Sequence, residues 1–329
     1  MLRPMSVLKG ILAVVILLAF PSWGGSQKLR KIHVAIPAVS PASTTFMVAK
    51  ERGYYRDESL EAELIVMPAA TAMQALIGGN VEFATVGGAG LPPVLRGAPV
   101  RFLFTTFNRP MFWLYSKPDI RSIKDLRGKK VGVSSLGSGP DSLLRDLLKR
   151  YGMEGGRDVV IMPMGAGIAR FVALRAGSVE GAMLSIPSNF MAEEAGFREL
   201  VSFIKQDLVE LQGSIVVREG LLESDPVLVE KFVRASLKGL LYFRNNRSGT
   251  TSILSRFLRV KEDLSGRIYE LILPGATPDG TISEETQRKS LEHVLERVGL
   301  KEPPPLGKIF NFSLTQKVRD ELQEKGWRP

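Results

Sequence analysis

An internal repeat constrains the fold of this 329-residue chain more than any other feature of its sequence. Residues 31–68 and 130–163 each contain a β-branched run, a loop of small residues, an amphipathic helix and a second strand that ends in Met-Pro. A further helix then leads into a third strand, at 79–86 and at 177–184. Alternating strands and helices of these lengths predict parallel sheets with right-handed crossovers. We therefore predict an α/β protein with two similar lobes.

Two extended stretches outside the repeat predict how the lobes are joined. Residues 102–116 run from the first unit into the second, and residues 213–218 follow the second unit. Two such crossings would make a two-strand hinge, and clefts between hinged lobes are common places of ligand capture.

The sequence after Glu219 is dominated by helical patterns. Helix-capping signals occur at 224–226, 281–284 and 313–316. We expect these C-terminal helices to pack on the first lobe. The predicted domains are a first lobe of residues 27–112 and 214–329 and a second lobe of residues 113–213.

The first 26 residues have the layout of a secretory signal peptide. Two basic residues precede an apolar run at 10–20, and the segment that follows has small residues at Ser22 and Gly24. The apolar run is shorter than the roughly 18–20 residues that span a bilayer. We predict export to the periplasm with cleavage just after Gly24, or after position 25 or 26. An uncleaved N-terminal anchor is the alternative.

The amino-acid composition excludes several classes of function. The chain has no cysteine, which excludes disulfides and also the lipid-modified cysteine of a lipoprotein. Its net charge is +10, but the basic residues are spread along the chain and no nucleic-acid-binding module accompanies them. We expect a monomer that does not bind nucleic acid.

The repeat also indicates where a ligand would bind. In open α/β sheets, ligands lie beyond the carboxyl ends of the strands, where loops enter helices. These loops are 39–45 and 86–90 in the first unit, and 134–141 and 185–189 in the second. All four are rich in glycine and small hydroxyl residues, which suit backbone binding of polar or anionic groups.

The candidate ligand-binding residues are Ser40, Thr44, Thr45, Gly87, Gly88, Ser135, Gly137, Ser138 and Ser185. The alternative is that these residues only cap helices and turn the chain.

Other residues that could meet a ligand have simpler interpretations. Arg109 and Arg170 could pair with an anionic group, but we expect surface salt bridges for both. Trp113 and Tyr115 could stack on a ligand, but aromatic residues in an alternating extended run usually pack into a core.

The sequence gives little support for enzyme chemistry. Its two histidines, His33 and His293, fall in a predicted strand and a predicted helix, and there is no thiol or nucleophile-elbow motif. His and Cys residues with metal-ligand spacing are also absent. We therefore predict no catalytic residue, no metal and no cofactor.

Three segments resemble a known family. Residues 120–133 (Ile-Arg-Ser-Ile-Lys-Asp-Leu-Arg-Gly-Lys-Lys-Val-Gly-Val) resemble the segment that introduces the second lobe of ABC-transporter solute-binding proteins of the nitrate/sulfonate/taurine type. Residues 51–55 and 79–84 fit the same family, and the resemblance extends over about 31–245. It implies a type II periplasmic-binding-protein fold, closure of the hinge on a solute, and delivery to an ABC permease and its ATPase.

The resemblance implies a small polar or anionic organic solute, such as a sulfonate, nitrate, a carboxylate or a pyrimidine-like compound. Family members often have an acidic or aromatic residue before the proline that follows the last repeat strand, where this chain has Ser185-Ile186-Pro187. The solute is therefore left open.

A related thiamine-pyrimidine synthase works as an enzyme and gives the alternative function. Its activity is associated with a cysteine-containing motif and a histidine, whereas this chain has no cysteine. We predict a binding protein, with an exported enzyme of that superfamily as the alternative.

Overall fold

The computed structural model describes residues 28–329, so the predicted signal peptide lies outside the described residues. The strands in this part of the chain are β1 (Arg30–Ile36), β2 (Leu60–Val66), β3 (Phe83–Ala84), β4 (Val100–Phe107), β5 (Phe112–Ser116), β6 (Lys130–Val133), β7 (Val160–Pro163), β8 (Gly181–Ser185), β9 (Arg198–Ser202) and β10 (Gln212–Arg218).

The helices are α1 (Thr44–Glu51), α2 (Tyr54–Asp57), α3 (Ala69–Ile77), α4 (Leu91–Leu95), α5 (Gly139–Arg150), α6 (Gly167–Arg175), α7 (Ser188–Glu194), α8 (Glu219–Ser224), α9 (Pro226–Asn245), α10 (Arg247–Leu258), α11 (Glu262–Ile272), α12 (Glu284–Val298) and α13 (Ser313–Glu324). Within residues 28–329, none of them is both long and apolar enough to cross a membrane.

The strands form two five-stranded sheets with matching topology. The first has the order β2-β1-β3-β10-β4 and the second the order β7-β6-β8-β5-β9. Within each sheet, the three strands of one repeat unit are parallel, with the first strand of the unit between the other two. The prediction of two similar α/β lobes is confirmed, since each repeat unit builds the parallel part of one sheet.

The two extended stretches cross between the sheets as expected. Strand β5 enters the second sheet antiparallel to β8, and β10 enters the first antiparallel to β3. The two crossing strands therefore occupy equivalent places. Strand β9, which pairs with β5 at the sheet edge, was not predicted from the sequence. The domain boundaries at 112/113 and 213/214 stay a prediction.

Helix α9 attaches the C-terminal region to the first lobe. Asp225 caps it by accepting a hydrogen bond from the Leu228 amide at 3.0 Å. On its buried face, the ring of Phe232 stacks on Phe83 with centroids 3.9 Å apart. A Cβ on Gly239 would lie 2.4 Å from the carbonyl oxygen of Thr45, so glycine lets α9 approach α1 closely.

The later C-terminal helices also pack on first-lobe elements, as predicted. Helix α13 contacts α9 and β4, while α12 contacts α4. The capping signal at 281–284 predicts a helix that opens at Thr281. That start is wrong by a few residues, because Ser283 is the cap and the helix begins at Glu284. The helix ends at Gly299, whose φ of 74° suits glycine.

Candidate functional site

The α1 side of the first sheet's carboxyl edge is closed by buried hydroxyl groups. Thr44 and Thr45 are both fully buried. The Oγ1 atoms of Thr45 and Thr106 lie 3.3 Å apart, and Thr106 donates to the carbonyl of Gly213 at 2.9 Å. Ser40 is partly buried just before the short 3₁₀ turn Pro41–Ser43. This part of the edge therefore bonds mainly to its own linker strand, β10.

Gly87 and Gly88 lie against the linker that returns from the second lobe. The amide of Gly88 donates to the carbonyl of Leu211 at 2.8 Å. A Cβ on Gly87 would lie only 1.8 Å from the same carbonyl oxygen. Close backbone packing therefore explains the glycine at position 87, whatever its role toward a ligand.

In the second lobe, the loop between β6 and α5 combines exposure with helix capping. Ser135 and Gly137 are exposed. Ser138 is the N-cap of α5 and donates its hydroxyl to the Ser135 carbonyl at 2.6 Å, while the Gly137 amide donates to Asp141 at 2.7 Å. The capping interpretation describes Ser138 and Gly137 well, and ligand binding by either residue stays a prediction.

Polar side chains pack closely around Gly167, at the ends of β7 and β8. A Cβ at that glycine would lie 2.6 Å from Ser188 Oγ, 2.8 Å from Ser185 Oγ and 3.7 Å from a terminal nitrogen of Arg170. The Ser188 hydroxyl donates to the Ser185 carbonyl at 2.6 Å. We call Gly167, Arg170, Ser185 and Ser188 the Gly167 cluster. It includes the predicted residue Ser185.

Arg170 differs from its predicted role. Its side chain is only 2% exposed, so the expectation of a surface salt bridge is wrong. Within residues 28–329 it has no acidic partner: one terminal nitrogen donates to the Gly165 carbonyl at 2.5 Å, and Nε has no hydrogen-bond partner. Burial lowers the pKa of Arg170 to about 10, which leaves it charged at neutral pH.

Glu210, which the sequence analysis missed, lies between loops of the two lobes. A Cβ on Gly139 would be 2.4 Å from its Oε1, and a Cβ on Gly88 would be 3.9 Å from its Cγ. Its Oε2 is inaccessible to solvent and has no hydrogen-bond partner. Burial raises the pKa of Glu210 to about 7, and the positive charge of Arg297 opposes that rise. The search for loops of small residues passed over this linker carboxyl.

Unsatisfied polar atoms concentrate around this region. Within residues 28–329, eight buried side-chain nitrogen or oxygen atoms have no hydrogen-bond partner. Five of them belong to the carboxyl edges of the sheets or to the returning linker: Thr44 Oγ1, Arg170 Nε, Asn189 Oδ1, Glu210 Oε2 and Gln212 Nε2. Buried polar groups are normally bonded, so each exception calls for an explanation.

The two lobes also meet along their helices. Lys149 of α5 and Glu296 of α12 form an exposed ion pair at 3.0 Å. On the other helices, Arg267 of α11 pairs with Glu193 of α7 at 3.2 Å and lies over the ring of Phe190. Exposed pairs of this kind contribute little free energy, about 0–1 kcal/mol each. One hydrophobic cluster also contains buried residues of both lobes, such as Phe46 and Phe171.

The other residues considered in the sequence analysis lie as follows in the structure. Arg109 donates to the Gln206 carbonyl at 3.3 Å and forms no ion pair within residues 28–329, so its predicted salt bridge is wrong. Trp113 and Tyr115 are buried in the core, as predicted. His33 lies in β1 between two glutamates, and His293 lies in α12. In the same part of the chain, no three His, Asp or Glu side chains cluster as a metal site.

Two α/β lobes joined by two crossing strands, with polar loops facing each other, define the periplasmic-binding-protein fold. A sulfonate-binding protein SsuA from Methylobacillus flagellatus matches over 92% of this chain and 97% of its own (TM-score 0.69, 17% identity). The nitrate-binding protein NrtA from Synechocystis PCC 6803 matches over 90% of both chains (TM-score 0.71, 13% identity). The desulfurization enzyme DSZB shares the fold, over 89% of this chain and 99% of its own (TM-score 0.65, 16% identity).

The sequence model of the NMT1/THI5 like family matches residues 40–248, more than half of the chain. The protein belongs to this family, and the predicted family resemblance is confirmed. A curated relative is the riboflavin-binding protein RibY of Chloroflexus aurantiacus, 28% identical over 239 residues. That match covers 68% of this chain and 65% of the relative's length.

Proposed function

We propose that this protein is the periplasmic solute-binding component of an ABC importer, which captures a small polar or anionic organic solute between its lobes and delivers it to the permease. The observation that carries this proposal is the set of five unsatisfied buried polar atoms at the sheet edges and the returning linker. They come from both lobes, so a solute would satisfy them together only when the lobes close around it.

The weak helix contacts between the lobes fit this role. A binding protein must open to release its solute, and exposed ion pairs such as Lys149–Glu296 separate at small cost. The relative and the structural neighbours bear names that refer to riboflavin, sulfonates and nitrate. These compounds define a first panel of test solutes, to which carboxylates and aminopyrimidines are added.

The experiment measures binding by isothermal titration calorimetry and by thermal shift. A solute at a hundredfold excess over its Kd stabilises the folded protein by about 2.7 kcal/mol, which raises Tm by several degrees. The site is tested with Ser135→Trp, which puts a bulky side chain on an exposed loop at the carboxyl edge. Ser178→Trp is the matched control, because Ser178 is exposed at the opposite end of the same lobe.

We expect Ser135→Trp to weaken binding strongly and Ser178→Trp to leave it unchanged. Equal binding by both variants would place the solute elsewhere. Failure to bind any panel compound, with no small molecule released when the purified protein is denatured, would contradict solute binding. Recovery of the compound chemically unchanged supports a carrier, whereas conversion into a product supports the enzyme alternative.

A further inference from the structure

The side chain of Glu210 lies where both lobes meet the two linkers. Its backbone amide donates to the carbonyl of Asn108 on the outgoing linker at 3.1 Å. Its carboxyl lies against Gly139 at the start of α5 in the second lobe, and its Cγ lies near Gly88 of the first lobe. A rotation of the second lobe that moved α5 off the linker would therefore change the surroundings of this carboxyl.

Two helices bring charged groups close to this position. On α12, Arg297 acts on Glu210 through its positive charge, and its guanidinium donates to the hydroxyl of Ser142 on α5. In the first turn of α5, Asp141 accepts a hydrogen bond from Nε of Arg145 at 2.9 Å. Arg297 therefore links the first lobe's C-terminal region to the helix that covers Glu210.

The other elements around the carboxyl offer it no hydrogen bond. The loop at 86–90 has no ionisable side chain. On the two linkers, Arg109 donates to the Gln206 carbonyl, and Asp207 is exposed. Within residues 28–329, Oε2 of Glu210 has no hydrogen-bond partner. Burial of an ionised carboxylate in such a place costs more free energy than burial of the neutral acid.

This geometry makes the arrangement of the lobes depend on a proton. We call the arrangement in the structure, with α5 against Glu210, the closed arrangement. Burial there raises the pKa of Glu210 from 4.5 to about 7, whereas a hydrated carboxyl in an open arrangement would titrate near its ordinary value. The stabilisation of the closed arrangement is therefore complete below about pH 4.5 and lost as the pH rises to about 7.

We propose that Glu210 is a proton-controlled switch between the lobes: its neutral form permits the closed arrangement, and its ionised form favours movement of α5 away from the linker. The switch concerns the position of the lobes with or without a solute, so it goes beyond the proposed function. In a solute carrier it would weaken retention of the solute as the pH rises.

The test measures lobe opening in the mature protein without any solute. The chain has no cysteine, so Ser178→Cys in the second lobe and Ser248→Cys in the first lobe, both at exposed positions, give unique sites for two pH-insensitive dyes. Single-molecule Förster transfer then gives the ratio of closed to open molecules. From about pH 5 to about pH 8 we expect this ratio to fall at least about tenfold, which corresponds to a difference of one pKa unit between the arrangements.

Glu210→Gln cannot ionise, so we expect its ratio of closed to open molecules to stay constant over this range. Asp207→Asn is the matched control, because it removes an exposed carboxylate from the same linker and should leave the wild-type response in place. Both histidines of the chain are present in all these proteins, so their titration cancels in the comparison.

Gly139→Ala tests the contact itself and also serves if Glu210→Gln fails to fold. Its Cβ would lie 2.4 Å from Oε1 of Glu210, so the carboxyl must move out of its buried place. Alanine suits the first turn of a helix. We therefore expect this variant to lose most of the pH response although Glu210 is still present.

Two outcomes overturn the proposal: a wild-type ratio that does not change with pH, or equal changes in the wild type and Glu210→Gln. The second outcome would assign the response to another titrating group. Neither outcome bears on solute capture, because no solute is present in the experiment. Conversely, a failure of every panel solute to bind would leave a measured pH response of the lobes unaffected.

Discussion

The carboxyl edges of the two sheets arise from the same repeat but differ in what they leave open. In the first lobe, Thr45 and Thr106 bond to each other and to β10, and Gly87 packs directly against Leu211. In the second lobe, the equivalent edge packs Ser185 and Ser188 against Gly167, beside Arg170, which is buried without an acidic partner. The first edge leaves the neutral hydroxyl of Thr44 without a hydrogen-bond partner, whereas the second leaves a nitrogen of the charged Arg170 without one.

The comparison shows that loops of similar composition can have different structural roles. The glycines at 87 and 167 both sit where a Cβ would collide, but with different neighbours. At Gly87 the neighbour is a backbone carbonyl, so the glycine serves packing. At Gly167 the neighbours are two hydroxyls and a guanidinium nitrogen, so the glycine lets polar side chains pack closely.

The largest expected effect on stability comes from adding a side chain at Gly87, on the first lobe's edge. Gly87→Ala should lower the free energy of unfolding by about 3 kcal/mol or more, because its Cβ would collide with the Leu211 carbonyl oxygen and force the linker to move. Gly88→Ala is the control, since the nearest atom to its Cβ is 3.9 Å away. Urea unfolding measures both variants, and equal stabilities would show that the linker is not tightly held there.

The linker carboxyl, which touches both edges, should make stability depend on pH. Burial raises the pKa of Glu210 from 4.5 to about 7, so the unfolded chain loses this proton at lower pH than the folded protein does. The stability that the protonated carboxyl provides is therefore complete below about pH 4.5 and lost as the pH rises to about 7. At about 1.4 kcal/mol per pKa unit, the rise from 4.5 to about 7 corresponds to a loss of roughly 3–4 kcal/mol.

Urea unfolding of the wild type and of Glu210→Gln at several pH values isolates this contribution, because other titrating groups cancel in the difference. We expect the wild type to lose stability relative to the variant between about pH 4.5 and 7, with no further change above. A constant difference across that range would show that Glu210 titrates normally and is hydrated.

The smallest expected effects on stability come from removing single hydroxyl groups. We expect this removal to be costlier at the first edge than at the second. Thr106→Val removes the donor to the Gly213 carbonyl and the partner of Thr45, which should cost about 1–3 kcal/mol of stability. Ser185→Ala removes a hydroxyl that donates to no group within residues 28–329, so stability should change by less than about 0.5 kcal/mol. Thermal unfolding distinguishes the two, and a larger loss for Ser185→Ala would reverse the comparison.

Much of the fold was predictable because it is local and repeated. The order of strands and helices in each unit follows from hydrophobic periodicity, and the capping residue Asp225 acts as its sequence context predicts. Strand β9 escaped prediction, because it is a partly exposed edge strand with neither clear alternation nor a counterpart in the repeat. The start of α12 was misplaced because Thr281 and Ser283 are both good caps: the Thr281 hydroxyl donates to Asp279 instead, and Ser283 accepts the bond from the Thr286 amide.

The candidate site was predictable only at the level of loops. Parallel strands bring their carboxyl ends to one edge, so the four loops follow from topology. The sequence could not tell that Arg170 is buried without a partner, or that Glu210 lies between Gly88 and Gly139. Those facts depend on contacts between residues far apart in the chain.

The sequence by itself determined the class of fold, the two-lobed plan and the family, because these depend on periodicity and repeated short segments. The tertiary structure alone decided which small residues pack against backbone and which pack against polar side chains. A glycine or an arginine has the same chemistry in every loop, but its energetic role is set by the neighbours that folding places around it. In this protein those neighbours bond Thr106 of the first edge to the returning linker and give the second edge a buried positive charge.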